Sequence, residues 1–276
     1  MSLRGTLKKY RLRFSFTLGL ILLEVALTLL FPLFIGNAID STINGNYKDA
    51  LELGALGIAV LVIGVVRRLF DSRFYSQIYQ HIGSEVVSKM KDQAPSKKTA
   101  RLSMTRELVE FLENAMPELI GNIIALLGVI GIIATLNRTI FYGSVLVAVL
   151  VFLVYLLTSS KTIRLNKSSN DEFEKQVTII SKNDTSELKV HLAQMMKWNI
   201  KLSDLEAINF SISWVIMMVF LVYSVVIAVN NGIVHYGALF ALMMYVFQFI
   251  ENVSNLPLFY QNWLRLREII HRLEET

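Results

Sequence analysis

The sequence lacks cysteine and has little charge, and both features exclude whole classes of protein. Its 276 residues include 0 Cys, which excludes disulfides, thiolate zinc sites, iron–sulfur ligation and a cysteine nucleophile. Charged residues make up 18% of the chain, against about 25% in an ordinary soluble domain. Hydrophobic residues make up 54%, which excludes a disordered chain and favours a membrane protein.

Long apolar runs account for the hydrophobic excess. Each candidate run is about 20 residues long, which at about 1.5 Å per residue crosses a hydrocarbon core of about 30 Å. We therefore predict an all-α polytopic membrane protein, with residues 1–276 forming a single six-helix transmembrane domain. Tight turns at 137–139 and 230–232 would make hairpins of spans 3/4 and 5/6. The predicted spans are about 14–35, 51–70, 119–136, 140–158, 210–229 and 233–264.

Lysine and arginine lie almost entirely on one side of these spans. Of the 27 basic residues, 25 fall in the N-terminal segment, in the long loops 67–117 and 159–209, or after span 6. Only Lys48 and Arg138 fall in short connections. Because cytoplasmic loops are enriched in basic residues, we predict that both termini and both long loops are cytoplasmic, in a cell membrane such as a bacterial inner membrane. Because these basic segments alternate with apolar spans, their charge argues against nucleic-acid binding.

The two long loops have the composition of helices rather than of linkers. Each has 51 residues, and the loop 159–209 contains neither proline nor glycine. Its charged and apolar residues suit an amphipathic helix, and Asn183-Asp184-Thr185 offers a break with a capping side chain. Residues 67–90 continue span 2 in the same manner. We therefore predict helical stalks that extend beyond the bilayer and turn at their tips.

Short motifs accompany this layout in chain order. They lie at 32–40 (a proline, then a glycine and an Ile-Asp pair), 83–90, 237–241 and 256–258. Together with six spans and long stalks after spans 2 and 4, they make the chain resemble the transmembrane unit of type I ABC exporters. The resemblance covers nearly the whole chain and depends on order and spacing. It implies a homodimer that encloses a substrate pathway and is driven by ATP bound to nucleotide-binding domains.

Two features depart from that family. No G-x-x-x-x-G-K-[ST] phosphate-binding loop occurs in these residues, so we expect no enzymatic activity and no cofactor in this chain, with ATP on a separate ABC ATPase. The cytoplasmic loops are also shorter than is usual for the family. The residues predicted to couple to the ATPase lie at the two stalk tips and are Lys91, Lys97, Lys98, Asn183, Asp184 and Thr185.

Polar side chains inside apolar spans are the most specific sign of a site. Four of them are spaced 0, +3, +4 and +7 in span 6 and so share one helix face, which a tyrosine extends by one turn. A glutamate also lies near the middle of span 1. A carboxylate in hydrocarbon costs about 2.5–3.5 kcal/mol, so such residues face protein or water. The predicted pathway residues, suited to a cationic or proton-coupled substrate, are Glu24, Tyr245, Gln248, Glu251, Asn252 and Asn255.

Hydrogen bonding between helices, including across a dimer axis, is the alternative role for these residues. Arg67 and Arg68 end the apolar run of span 2, where long basic side chains extend to lipid headgroups; a cavity role for Arg67 is the alternative. Glu118 is predicted to be a cytoplasmic interface residue, and Asn122 is a weaker pathway candidate. The four histidines are scattered, which disfavours a metal site.

Two functions stay open from the sequence. The first is a transport subunit in which two copies, or one copy and a homologue, enclose a pathway above a separate ATPase. The second is a sensor, regulator or membrane-disrupting effector that acts through its stalks, which the short loops favour. An intramembrane enzyme is disfavoured because no span carries paired aspartates, a Ser–His–Asp arrangement or an H-E-x-x-H motif.

Overall fold

The computed structural model describes residues 10–90, 95–182, 184–230 and 235–274, and every element in these ranges is helical. Within these ranges, six helical stretches are long and apolar enough to cross a membrane. Large apolar side chains along them are exposed, as at Leu61 (66%) and Leu157 (81%). Apolar surface on this scale suits contact with lipid rather than with water. The predicted all-α fold with six membrane-crossing helices is confirmed.

The helices are longer than the predicted spans. The helix Lys48–Lys89 has 42 residues, or about 63 Å, which is about twice the thickness of a hydrocarbon core. Span 2 therefore continues as a stalk, as predicted. The elements are α1 Arg11–Ile43, α2 Lys48–Lys89, α3 Pro95–Glu110, a π-helical turn Phe111–Ala115, α4 Met116–Leu136, α5 Arg138–Glu174, α6 Gln176–Ser181, α7 Thr185–Asn230 and α8 Tyr236–Glu274.

The predicted breaks between helices are found wherever the structure describes them. Asn137 alone separates α4 from α5, at the position of the predicted break, and its backbone is extended. Asp184 accepts hydrogen bonds from the backbone N–H groups of Ser186 at 2.8 Å and Glu187 at 3.2 Å, so it caps α7. Residues 231 and 232 of the other predicted turn lie outside the described residues.

The chain divides into two compact units. The first comprises residues 1–138 and 225–276, which include α1 to α4 and α8. The second comprises residues 139–224, which include most of α5, α6 and most of α7. The assignment of the whole chain to one domain stays a prediction.

In the first unit, α1 packs against α2, α4 and α8. Near the start of α1, Phe14 meets the buried Phe74 of α2 edge-to-face, with ring centroids 5.0 Å apart. Near its end, the backbone of Gly36 directly contacts Gly237 of α8, and Asp40 Oδ1 accepts the Gly237 N–H at 2.8 Å. The motifs at 32–40 and 237–241 are therefore neighbours that fix α1 against α8.

In the second unit, α5 and α7 run antiparallel. Thr158 Oγ1 accepts a hydrogen bond from Asn209 Nδ2 at 2.9 Å. Farther along, Glu172 Oε1 lies 2.8 Å from Nδ1 of the buried His191. Contacts between increasing residue numbers in α5 and decreasing ones in α7 confirm the prediction that one helix leaves span 4 and another returns to span 5.

Candidate functional site

A cavity of about 840 Å³ lies in the first unit between α1, α2, α4 and α8. This volume is within the range of small-molecule sites. Its charged lining comprises five carboxylates and two guanidiniums, which leaves a formal excess of three negative charges. The cavity is therefore suited to a positively charged ligand. Its charged lining residues are Glu24, Arg67, Arg68, Asp71, Glu113, Glu118 and Glu251.

An ion-paired cluster joins α1 to α2 at one wall of this cavity. Arg67 Nε lies 2.5 Å from Glu24 Oε2, and Arg67 Nη1 lies 3.3 Å from Asp71 Oδ2. Asp71 is buried, and its second oxygen accepts a hydrogen bond from Thr17 Oγ1 at 2.7 Å. One arginine thus pairs with two carboxylates where the side chains are largely shielded from water, so an unpaired charge there would be costly.

Local sequence explains how this cluster fits between the helices. Arg67 and Asp71 are four residues apart in α2, so their side chains lie on the same helix face. Gly64 lies one turn before Arg67, and a Cβ at this position would come within 3.1 Å of Glu24 Oε1. Glycine at position 64 therefore leaves space for the Glu24 carboxylate to reach Arg67.

The location of Arg67 corrects a sequence interpretation. We expected Arg67 to extend to lipid headgroups because it ends an apolar run. Its side chain instead lines the cavity and is only 16% exposed. The expectation was wrong because a facing carboxylate, 43 residues earlier in the chain, lies within reach. Arg68 also lines the cavity, although it is exposed.

Three residues of the predicted polar face of α8 line the cavity together: Gln248, Glu251 and Asn252. Glu251 is exposed and forms no ion pair within the described part of the chain. Gln248 Oε1 is buried and has no hydrogen-bond partner among the described residues. Among the described residues, a carboxylate without an ion pair and an acceptor without a donor therefore lie one helical turn apart.

The other two predicted pathway residues of α8 are not among the lining residues. Tyr245 is fully buried, and its hydroxyl donates to the Leu29 carbonyl at 2.6 Å. It therefore joins α8 to α1 in the cavity wall. Asn255 lies one turn beyond Asn252 and is half-buried. Glu24, predicted to attract a cation, lines the cavity but is already paired with Arg67.

The α4 side of the cavity contributes polar groups that we ranked as weaker candidates from the sequence. Glu118 and Asn122 both line it, so Glu118 is more than the interface residue we expected. Glu113 and Asn114 lie in the π-helical turn directly before Pro117. Proline has no N–H to donate to the carbonyl of Glu113, which explains an interruption of the regular helix at this level.

None of the predicted coupling residues that the structure describes is a lining residue of this cavity. Lys98 is half-buried in α3, Asp184 is the cap of α7, and Thr185 is its first residue. Lys91 and Asn183 lie outside the described residues, as does the side chain of Lys97.

Sequence reasoning missed Asp71, Glu113 and Asn114 among the lining residues. For Asp71 a signal was available, because an aspartate four residues after an arginine at the end of an apolar run predicts a local pair. For the residues of the π turn no comparable signal exists, because their position depends on a helix irregularity.

Comparisons with known proteins agree with this architecture. A family model described as the ABC transporter transmembrane region matches residues 3–237. Among solved structures, a bacterial Atm1-family ABC exporter with ATP bound is similar in fold, with a TM-score of 0.66 and 14% sequence identity. The match covers 97% of this chain but 54% of the exporter chain, so this chain spans about half the length of that protein. No match was found among curated proteins. Because the family model covers more than half of the sequence, the chain belongs to the family of ABC transporter transmembrane regions.

Proposed function

We propose that this chain is the membrane-spanning subunit of an ABC-type transporter, that it works as a homodimer, and that a separate ABC ATPase drives it. Family membership and fold support the transport role. In this proposal both termini and both stalks are cytoplasmic, and the ATPase contacts the stalk tips at Lys91, Lys97, Lys98 and 183–185.

The observation that carries the proposal is the acidic cavity. Of its five carboxylates, Glu24 and Asp71 are paired with Arg67, whereas Glu251 forms no ion pair among the described residues. Gln248 Oε1 adds an unpartnered acceptor one turn away. A cation with N–H donors would be attracted by Glu251 and could donate to Gln248. The substrate class we propose is therefore a small organic cation.

A pair of oppositely charged probes tests this selectivity. Tetraphenylphosphonium and tetraphenylborate have nearly the same size and shape, so a difference in their binding reports charge. We expect the purified chain to bind the cation at least tenfold more tightly than the anion in equilibrium dialysis. Glu251→Gln should weaken cation binding about tenfold, or 1.4 kcal/mol.

Glu52→Gln is the matched control, since it removes a carboxylate that is paired with Lys48 and lies outside the cavity lining. It should leave cation binding unchanged. Equal binding of the two probes, or equal affinities of Glu251→Gln and the unaltered chain, would remove the assignment of this cavity to a cation.

The absence of cysteine makes the orientation and the ATPase contact testable with single introduced thiols. A cysteine at Thr185 should react with an impermeant maleimide only when the cytoplasmic side is open. A cysteine at Tyr47, in the short α1–α2 connection, should react from the opposite side. The reversed pattern would overturn the proposed topology.

Co-purification in detergent tests the ATPase partner. We expect a nucleotide-binding protein to remain bound to the chain and to cross-link to a cysteine at Ser186, beside the stalk tip. With that partner reconstituted, Glu251→Ala should abolish ATP-dependent cation movement and leave the protein folded. Cation binding without ATP-dependent movement would favour a sensor or effector on the same scaffold.

A further inference from the structure

A second cavity lies between the two stalk helices of the second unit. Its volume is about 500 Å³, and we call it the stalk-base pocket. Its apolar lining comprises the buried Leu165 and Leu205 and the exposed Ile208. Its polar lining comprises three cations, one carboxylate, one hydroxyl and one indole, which are Lys161, Arg164, Lys201, Asp204, Ser168 and Trp198.

The three cations line the same pocket, and their charge is only partly compensated there. Within the described residues, none of Lys161, Arg164 and Lys201 forms an ion pair. The ammonium of Lys201 lies over the Trp198 ring, 4.7 Å from its centroid. Like charges lining one cavity repel each other, and a bound anion would relieve that repulsion. With Asp204 as the one carboxylate of the lining, two formal positive charges remain for such an anion.

The position of the pocket along the chain indicates where that anion comes from. The apolar run of span 4 ends at residue 158, and that of span 5 begins at residue 210. Lys161 and Arg164 therefore lie about 5 and 9 Å beyond the hydrocarbon edge, measured along the helix. The headgroup layer is about 5–8 Å deep on each side of a bilayer. Lys161 thus lies within the headgroup layer, and Arg164 lies just beyond its outer edge, where its long side chain can extend back into the layer. Ile208 lies between both and the hydrocarbon.

We propose that the stalk-base pocket binds the phosphate of an anionic phospholipid. Lys161 and Arg164 contact the phosphate oxygens, since a guanidinium and an ammonium are the usual phosphate-binding groups of proteins. The glycerol region of the lipid lies against Ile208, and headgroup hydroxyls donate to Asp204. Basic pockets between membrane helices on the cytoplasmic side are suited to such headgroups. The inference rests on membrane insertion with the stalks on the cytoplasmic side, as proposed above, and is independent of the substrate of the first cavity.

Native mass spectrometry of the full chain in detergent tests the proposal with phosphatidylglycerol as the probe. Phosphatidylcholine is the zwitterionic control, and inorganic phosphate distinguishes a lipid site from a site for the free ion. We expect phosphatidylglycerol to bind at least tenfold more tightly than phosphatidylcholine. The double variant Lys161→Gln/Arg164→Gln should weaken phosphatidylglycerol binding at least tenfold and leave the melting temperature in detergent unchanged.

The matched control is Lys167→Gln/Lys197→Gln, which removes the same charge from exposed stalk positions outside the pocket lining. It should retain lipid binding, as should the charge-preserving variant Lys161→Arg/Arg164→Lys. Displacement of the lipid by millimolar inorganic phosphate would assign the pocket to free phosphate and overturn the lipid. Equal loss of binding in the Lys167/Lys197 control, or no loss in the Lys161/Arg164 variant, would overturn the site itself.

Discussion

The two cavities of this protein differ in whether the arginine that lines them is paired with carboxylates. In the first unit, Arg67 forms ion pairs with both Glu24 and Asp71. In the second unit, Arg164 lines the stalk-base pocket and forms no ion pair within the described residues. Both arginines lie just beyond the end of an apolar run. The difference therefore comes from the carboxylates around them, and it separates an arginine that holds helices together from one that is available to a ligand.

The physical reason is the cost of placing charge outside water. A buried ion pair gains little net free energy, but removing one partner leaves the other charged and poorly solvated. Arg67 is therefore needed for the fold once Glu24 and Asp71 are in place. No such cost arises for an exposed arginine such as Arg164, because water solvates the guanidinium until a ligand binds.

The largest expected effect is that of Arg67→Gln. This change leaves Glu24 and the buried Asp71 without a cation, so the apparent free energy of unfolding should fall by about 3 kcal/mol or more. Equilibrium unfolding in mixed detergent micelles measures it. Arg68→Gln is the control, because Arg68 lines the same cavity and forms no ion pair in the described chain. A loss below 1 kcal/mol for Arg67→Gln would show that the cluster is solvated.

The next largest loss of stability is expected where two helices pack closely in the same unit. A Cβ on Gly237 would overlap the backbone carbonyl of Gly36, and neither backbone can rotate away. Gly237→Ala should therefore lower the free energy of unfolding by about 2 kcal/mol. Gly131→Ala is matched to it, since a Cβ there meets nothing within 4 Å. That variant should be neutral or more stable, because alanine favours a helix interior. Equal results for the two variants would contradict the close contact of α1 with α8.

A smaller effect is expected from Tyr245→Phe. The change removes the hydrogen bond from Tyr245 to the Leu29 carbonyl and should cost about 1 kcal/mol in the same unfolding measurement. Tyr223→Phe in the second unit is the control, since its ring is 41% exposed. We expect tetraphenylphosphonium affinity to be unchanged in Tyr245→Phe. A tenfold loss of tetraphenylphosphonium affinity with unchanged stability would instead show that Tyr245 belongs to the substrate pathway.

The helices could be predicted from the sequence because the relevant signals are local. Apolar run length predicts the spans, and the spacing of Gln248, Glu251 and Asn252 predicts that they share a face. The same spacing places Tyr245 on that face, but it does not predict that Tyr245 is buried against α1 rather than lining the cavity. Periodicity gives the angle of a side chain around its own helix, whereas the neighbour that covers this turn, α1, depends on tertiary packing.

Contacts between distant segments could not be predicted in the same way. Gly36 and Gly237 each belong to a motif that stood out in the sequence, but their contact joins positions about 200 residues apart. The pairing of Glu24 with Arg67 depends on the relative height of α1 and α2. Composition and spacing do not encode that register, so the headgroup interpretation of Arg67 was reasonable and wrong.

The smallest expected effect tests the comparison most directly, because it predicts almost no change. Arg164→Gln in lipid-free detergent should alter the free energy of unfolding by less than about 0.5 kcal/mol, since the side chain is exposed and leaves no carboxylate unpaired. Phosphatidylglycerol should then stabilise the unaltered chain more than the variant, because a ligand that binds the folded state adds stability in proportion to its occupancy. A loss above 1 kcal/mol without lipid would mean that Arg164 serves the fold as Arg67 does, and the contrast between the two cavities would disappear.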